Sequence, residues 1–190
     1  FRGVLDAVLQ SPIHVLVCLR SKMDHILEKD EKSQSTVKKE ADILYLQGEY
    51  GKLKQLIEDN IQLMEGDVVF TTLYAHSLFG GAAYDSAAQY YEKAYYESEP
   101  NGLLAVNMAR TMEKLKKNDK ALEWYKKSAG DFYEQEDFDS FLGLAPSLGS
   151  LWQNDDEILR MRAKIAFSVE DFSEAQKICD NLAKKQTEDS

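Results

Sequence analysis

The chain has 190 residues, with 23 Lys and Arg against 33 Asp and Glu, so its net charge is −10. A hydrophobic content of 44%, ten Tyr and eight Phe exclude a disordered chain, and three Pro with ten Gly are too few for the turns of an all-β sandwich. The acidic balance disfavours nucleic-acid binding, because phosphate contacts need clustered Lys and Arg. We therefore expect a soluble, helical protein that contacts other proteins.

Residues 1–33 are predicted to be a helical segment. Ser11 and Pro12 make a good helix start, with Ser as the N-cap and Pro in the first helical position. Val4–Leu19 is the most apolar stretch, but polar residues and Pro12 interrupt it. It is therefore unlike a membrane span of about twenty apolar residues, and we expect no membrane insertion. Because the chain begins with Phe1, we expect a fragment or a processed product.

A period of 34 residues runs through the middle of the chain. It is marked by Leu53, Ala87 and Ala121, each of which follows a turn and lies 34 residues after the one before. Ala175 follows a turn in the same way, further along the chain. An alanine lies twelve residues before each of these four positions: Ala41, Ala75, Ala109 and Ala163. Small side chains let two helices cross with their axes about 8–10 Å apart. The period therefore predicts antiparallel helix pairs.

Four tyrosines crowd the helix predicted after Ala87: Tyr90, Tyr91, Tyr95 and Tyr96. Rings at these positions span more than half of a helix surface, so they cannot all face one core. We expect two of them in the core and the others against the next helix.

These residues resemble the tetratricopeptide repeat, a 34-residue helix–turn–helix unit. The best copy runs from Thr71 to Pro100, whereas Leu53 replaces a small residue in the first unit and Asn118 replaces the turn aromatic in the third. The resemblance implies an all-α, right-handed superhelix of antiparallel helix pairs. The organisation that follows is an N-terminal helical cap at 1–33, three repeats at 34–135, an apolar insert at 136–155, and a fourth repeat with a polar tail at 156–190.

The insert is apolar enough to be packed, because Phe138, Phe141 and Trp152 lie within it. Pro146 and the neighbouring glycines would interrupt a single long helix. A short helical pair would keep the phase of the repeat, and one helix would invert it. The residues do not decide between the two.

The sequence contains no catalytic, cofactor or metal constellation, so we expect no enzyme and no cofactor. His14 and Cys18 could share a helix face, but two ligands do not make a metal site. The acidic run Glu134–Asp139 lacks the glycine and alternating oxygen ligands of a calcium loop. Cys18 and Cys179 fit no disulfide framework, which favours a reducing compartment, cytoplasmic or nuclear.

The family resemblance implies a groove lined by the first helix of each unit, at positions two, five, nine and twelve. The partner-binding residues predicted there or beside it are Lys38, Tyr45, Thr72, His76, Phe79, Asn107, Arg110, Arg160, Lys164 and Phe167. Asp42, Val69 and Leu103 also fall at groove positions. The groove as a whole is predicted to be neutral to slightly basic, with aromatic anchors for an extended or helical peptide segment of a partner.

Two functions follow from this groove. The first is a non-catalytic interaction scaffold or adaptor in a multiprotein complex; the second is a structural subunit whose groove is filled by its own chain or by a second copy in a homodimer. A clamp for chaperone C-terminal carboxylates does not fit, since Asp42 and Leu73 stand where that clamp has Asn. Leu73–Leu122 also resembles repeats in scaffold subunits of the anaphase-promoting complex, at positions generic to the repeat.

Overall fold

The computed structural model describes residues 34–188, which contain helices and turns but no strand. The first six helices are α1 at 34–46, α2 Tyr50–Asp59, α3 Val68–Gly80, α4 Tyr84–Glu97, α5 Gly102–Lys114 and α6 Asn118–Glu134. A 3₁₀ turn, Ile61–Met64, follows α2. The later helices are α7 Phe138–Gly143, α8 Ala145–Leu148, α9 Leu151–Asn154, α10 Asp156–Ser168 and α11 Phe172–Glu188. The N-terminal cap predicted at 1–33 lies outside the described residues.

Consecutive helices pack as antiparallel pairs joined by short turns. Helix α3 lies against α4, α5 against α6, and α10 against α11, while α2 against α3 and α4 against α5 join neighbouring pairs. Helix α1 enters the same core through Ala41, which is fully buried. The predicted all-α solenoid of helix pairs is therefore confirmed. Between residues 34 and 188, no helix combines the length and the apolar character needed to cross a membrane.

The small residues of the 34-residue period lie in the core. Ala41, Ala75 and Ala109 of the first helices have no exposed surface, and neither does Ala87 of α4. These positions let neighbouring backbones approach closely. Ala163, at the same position in α10, is half-buried.

The first helix of each pair ends in one recurring turn. A residue in the left-handed region follows each of these helices, with φ of 71° at Gly48, 60° at Ala82, 60° at Lys116 and 62° at Glu170. The next amide then bonds back into the last turn of the helix, as in Ala83 N to Leu78 O at 2.9 Å. This pattern satisfies carbonyl groups that a helix end otherwise leaves without partners.

The same turn also follows α6, within the insert. Glu136 has a φ of 58°, and the amide of Asp137 donates to the carbonyl of Phe132 at 2.9 Å. The chain after it forms three short helices, with Pro146 in the first turn of α8. Helices α7 and α8 pack on α6, whereas α9 packs on α8 and α10. The insert is therefore neither a single helix nor a helical pair.

Contacts from α6 hold the helices that follow the insert. Lys126 forms ion pairs with Asp155 at 2.9 Å and with Glu157 at 3.0 Å. Asp155 also accepts hydrogen bonds from the amides of Glu157 and Ile158, so it caps α10. Burial acts to raise the pKa of Asp155, but the hydrogen bonds from Lys126 and Ile158 outweigh it and lower that pKa.

The tyrosines of α4 divide between core and surface. Tyr91 and Tyr95 are buried, as expected for two of the four, and Tyr96 contacts Trp124 of α6. The ring of Tyr90 packs edge-on against Tyr74 of the preceding helix at 4.7 Å.

The ring of Tyr50 packs directly on α3, where a Cβ atom added to Gly80 would lie 2.3 Å from it. Gly80→Ala should therefore lower the free energy of unfolding by about 1–3 kcal/mol, measured by urea denaturation. The matched control is Gly130→Ala in α6, where an added Cβ meets nothing within 4 Å. That variant should raise the free energy by up to about 1 kcal/mol. Equal effects at the two positions would contradict the packing of Tyr50.

Candidate functional site

A cavity of about 300 Å³ opens among the first helices α1, α3 and α5. Four of the predicted partner-binding residues line it together: Tyr45, Thr72, His76 and Asn107. They meet because each lies on the first helix of its pair, and these helices stand side by side. Other parts of the wall are aliphatic, including Leu73 and Leu104.

Two exposed aliphatic side chains stand at the edge of this cavity. Val69 is 54% exposed and Leu103 is 61% exposed, and both contribute to its lining. They occupy the same position in successive units, 34 residues apart. Neither residue was among the partner-binding residues predicted from the sequence. Both could have been included, because each is an apolar residue at a groove position. Val106, at a groove position in α5, is buried instead.

His76 is held between two tyrosines at the inner wall. Its ring stacks on Tyr45 with centroids 4.7 Å apart, and Nδ1 lies 2.7 Å from the Tyr91 hydroxyl. Burial lowers the pKa of His76 to about 4. At neutral pH this residue therefore supplies a hydrogen-bonding ring and no positive charge.

The remaining polar groups of the cavity are neutral, except for Asp42. The Thr72 hydroxyl donates to the carbonyl of Val68 at 2.8 Å, so its hydrogen is committed to the helix. Asn101 caps α5 by accepting from the amide of Leu104 at 3.1 Å, which leaves its NH₂ group for other partners. With His76 neutral, the charge lining the cavity is that of Asp42, whereas the basic residues predicted for the groove, Lys38, Arg110, Arg160 and Lys164, lie outside the cavity wall.

Lys38 is drawn away from the groove by an ion pair with Asp67, and its ammonium lies 5.7 Å from the Phe70 ring centroid. Asp67 also caps α3 by accepting from the amide of Phe70. Burial acts to raise the pKa of Asp67, but the hydrogen bonds from Lys38 and Phe70 outweigh it and lower that pKa. Lys38 therefore joins α1 to the start of α3.

Two further predicted residues lie outside the cavity wall. The Phe79 ring packs against Tyr84 at 5.4 Å, across the turn between α3 and α4. Arg110 is exposed on α5. Both stand on first helices of the array, beyond the residues that enclose the cavity.

The predicted residues of α10 form a separate group. Arg160 pairs with Asp156 at 4.0 Å, and the Lys164 ammonium lies 5.9 Å from the centroid of the Tyr133 ring. Phe167 is 66% exposed and contacts Phe172. None of these side chains lines the cavity among α1, α3 and α5.

Comparison with known proteins adds the following findings. No family model matches the chain, and no curated protein matches it. Among solved structures, the chain is similar to YrrB, a TPR protein described as having an unusual peptide-binding site. The two share 13% identity over 83% of this chain and 89% of that one, with a TM-score of 0.47.

The class that the described structure defines is an all-α solenoid of antiparallel helix pairs with a cavity among its first helices. Within residues 34–188, no group of three or more His, Cys, Asp or Glu side chains is placed to hold a metal ion. The cavity among α1, α3 and α5 offers apolar area, amide groups and one carboxylate.

The lowered pKa of His76 predicts a pH-dependent stability. The unfolded chain takes up a proton with the ordinary pKa of about 6.5, whereas the folded chain does so near 4. The stability contributed by neutral His76 is therefore complete above about pH 6.5 and is lost as the pH falls towards 4. Relative to His76→Gln, the wild type should lose about 2–3 kcal/mol of unfolding free energy across that range, measured by urea denaturation. Parallel pH profiles for the two proteins would contradict a buried, neutral His76.

Proposed function

We propose that this chain is a non-catalytic interaction scaffold that binds a peptide segment of a partner protein in the cavity among α1, α3 and α5. The observation that supports this is the pair Val69 and Leu103, two aliphatic side chains left exposed in the lining of an open, largely apolar cavity. A cavity of about 300 Å³ is the size of a small ligand pocket and takes one or two side chains of a peptide.

Polar groups in the cavity favour a particular kind of segment. The amides of Asn101 and Asn107 can each donate to a peptide carbonyl, and the Asn107 oxygen can accept from a peptide amide. Asp42 adds a carboxylate, and His76 adds no opposing charge. We therefore propose a segment with a large apolar side chain beside a Lys or Arg.

The location of the protein and its assembly are further parts of the proposal. The cysteine pattern supports a cytoplasmic or nuclear location. Membership of a multiprotein complex, including a scaffold role in the anaphase-promoting complex, is a hypothesis that rests on the sequence resemblance.

Substitution at the cavity mouth tests the proposed binding site. Peptides that bind the wild type are first selected from a phage-displayed random library. Leu103→Asp should weaken binding of these peptides at least about tenfold, because it places a charge beside the position where the peptide's apolar side chain would be buried. The measurement is fluorescence anisotropy with labelled synthetic peptides. Since Leu103 is exposed, the melting temperature should stay within a few degrees of the wild-type value.

The matched control is Leu142→Asp, another exposed leucine, which lies on α7 away from the cavity. It should leave the affinity for the selected peptides unchanged. If both variants bind equally well, or if selection yields no binding peptide, the proposed function is wrong.

A second function, a structural subunit that pairs with another copy, is favoured by exposed apolar residues at the turn after α10. Phe167, Val169 and Phe172 are each more than half exposed. Tyr50, at the position of Phe172 in the first unit, is instead packed on Gly80 of the following pair. The exposed patch at Phe172 thus corresponds to a position that the following helix covers in the first unit. Such an uncovered apolar patch is a candidate contact between two copies of the chain.

Sedimentation equilibrium tests this second function. If the patch joins two copies, Phe172→Ser should raise the dimer dissociation constant at least about tenfold, because it removes an aromatic ring from the buried contact. Leu142→Asp again serves as the control and should sediment like the wild type. A wild type that stays monomeric at high micromolar concentration would contradict the homodimer.

A further inference from the structure

Three aromatic rings surround a lysine ammonium on the second helices, away from the groove. Tyr95 and Tyr96 come from α4 and Trp124 from α6, and the Lys127 Nζ atom lies 4.4, 4.6 and 4.7 Å from their centroids respectively. The Tyr95 ring is nearly perpendicular to both others, at 87° to Tyr96 and 86° to Trp124. The rings therefore form three walls of a box with their faces towards one cation. We call these three residues the aromatic box.

The inner wall of the aromatic box is fixed in place. Tyr95 is buried, and its hydroxyl donates to the carboxylate of Asp131 at 2.7 Å. Asp131 is itself buried in α6, one helical turn after Lys127. The buried hydrogen bond joins α4 to α6 and sets the orientation of the ring whatever occupies the box.

Lys127 is a half-buried occupant of this space, and the carboxylate of Asp131 also attracts its ammonium. Its ammonium has three N–H donors, and in the described part of the chain its one hydrogen bond goes to the Tyr96 hydroxyl at 3.3 Å. An ammonium placed against ring faces gives up hydrogen bonds to water. A methylated ammonium has fewer such bonds to lose, and it gains attraction from the same ring faces.

Space for a ligand lies directly beside the box. A cavity of about 290 Å³ is lined by Tyr96, Trp124 and Lys127 together with Glu92, Lys120 and Glu123. Once Lys127 is displaced, the two carboxylates stand against Lys120 alone, and the remaining negative charge favours a cation. The exposed ring of Tyr96 forms the wall that is open to solvent.

We propose that the aromatic box is a binding site for the methylated ammonium group of a methyl-lysine side chain, and that Lys127 is a tethered occupant which this ligand displaces. The site is separate from the groove on the first helices, so the proposal does not depend on peptide binding there. Because Lys127 competes for the box, the apparent dissociation constant of the ligand equals its intrinsic value divided by the fraction of molecules in which the box is empty.

Binding is measured through the fluorescence of Trp124, in a Trp152→Phe background in which it is the only tryptophan of the chain. The probe is N-acetyl-trimethyllysine methylamide. The comparison compounds are its unmethylated form and the neutral isostere in which carbon replaces the charged nitrogen. The trimethylated compound should give a saturable change, with both comparison compounds binding at least about tenfold more weakly because the ring faces attract a desolvated cation.

Two variants test the role of each part. Lys127→Ala should tighten binding of the trimethylated probe about tenfold, if the lysine occupies the box about nine-tenths of the time. Tyr96→Ala should weaken binding at least about tenfold, and because Tyr96 is exposed the fold should be kept, as circular dichroism can verify. Lys93→Ala removes an exposed lysine of α4 that lies outside the box and should change nothing.

Several results would overturn the proposal. They are equal binding of the trimethylated probe and its neutral isostere, no saturable signal in Lys127→Ala, or an affinity that neither Lys127→Ala nor Tyr96→Ala alters. Choline supplies the same cation from a free small molecule. If choline binds more tightly than the trimethyllysine probe, the box belongs to a small-molecule ligand and the methyl-lysine assignment is wrong.

Discussion

Close approach of neighbouring helices at small side chains is the constraint on which the rest of the structure depends. Ala75 and Ala109 in the first helices, and Ala87 in a second helix, have no exposed surface. A larger side chain at any of them would push two helices apart, and because each pair packs on the next, the displacement would reach the later pairs. The cavity exists because these crossings hold α1, α3 and α5 side by side.

Much of this architecture could be predicted from the sequence, because the constraint acts on side-chain size. Small residues recur at the helix crossings, and an aromatic residue such as Tyr50 recurs at the turn. The 34-residue period can therefore be detected in the amino-acid sequence. The turn itself is not visible in the same way. Its left-handed position is held by Gly48 in one unit but by Lys116 in another, and by Glu136 in the insert. Since no residue type marks that conformation, the turn after α6 could not be predicted, and neither could the three short helices that follow it.

The candidate site was predictable to the extent that backbone register defines it. Tyr45, Thr72, His76 and Asn107 meet because their positions repeat along parallel first helices. Their charges were not predictable from register. Lys38 is paired with Asp67, which belongs to the start of the next pair, and burial beside Tyr45 keeps His76 neutral. Both effects come from tertiary neighbours, so groove positions alone do not give the charges that face the cavity.

Helix α4 connects the two sites, although they lie on different faces of the array. Tyr91 reaches the groove through its hydrogen bond to His76, and Tyr95, one helical turn later, forms the inner wall of the aromatic box. Both rings are buried, so neither can move without moving the helix. Coupling between two sites requires two states of the protein to which each ligand binds with different affinity. Here the two states would be two positions of α4, so the ligands would influence each other only if each of them shifted that helix. The buried hydrogen bond from Tyr95 to Asp131 opposes such a shift, because moving α4 away from α6 would leave a carboxylate without its donor in the core. If both proposed sites bind their ligands, we therefore expect them to do so independently, because the Tyr95–Asp131 hydrogen bond holds α4 in place.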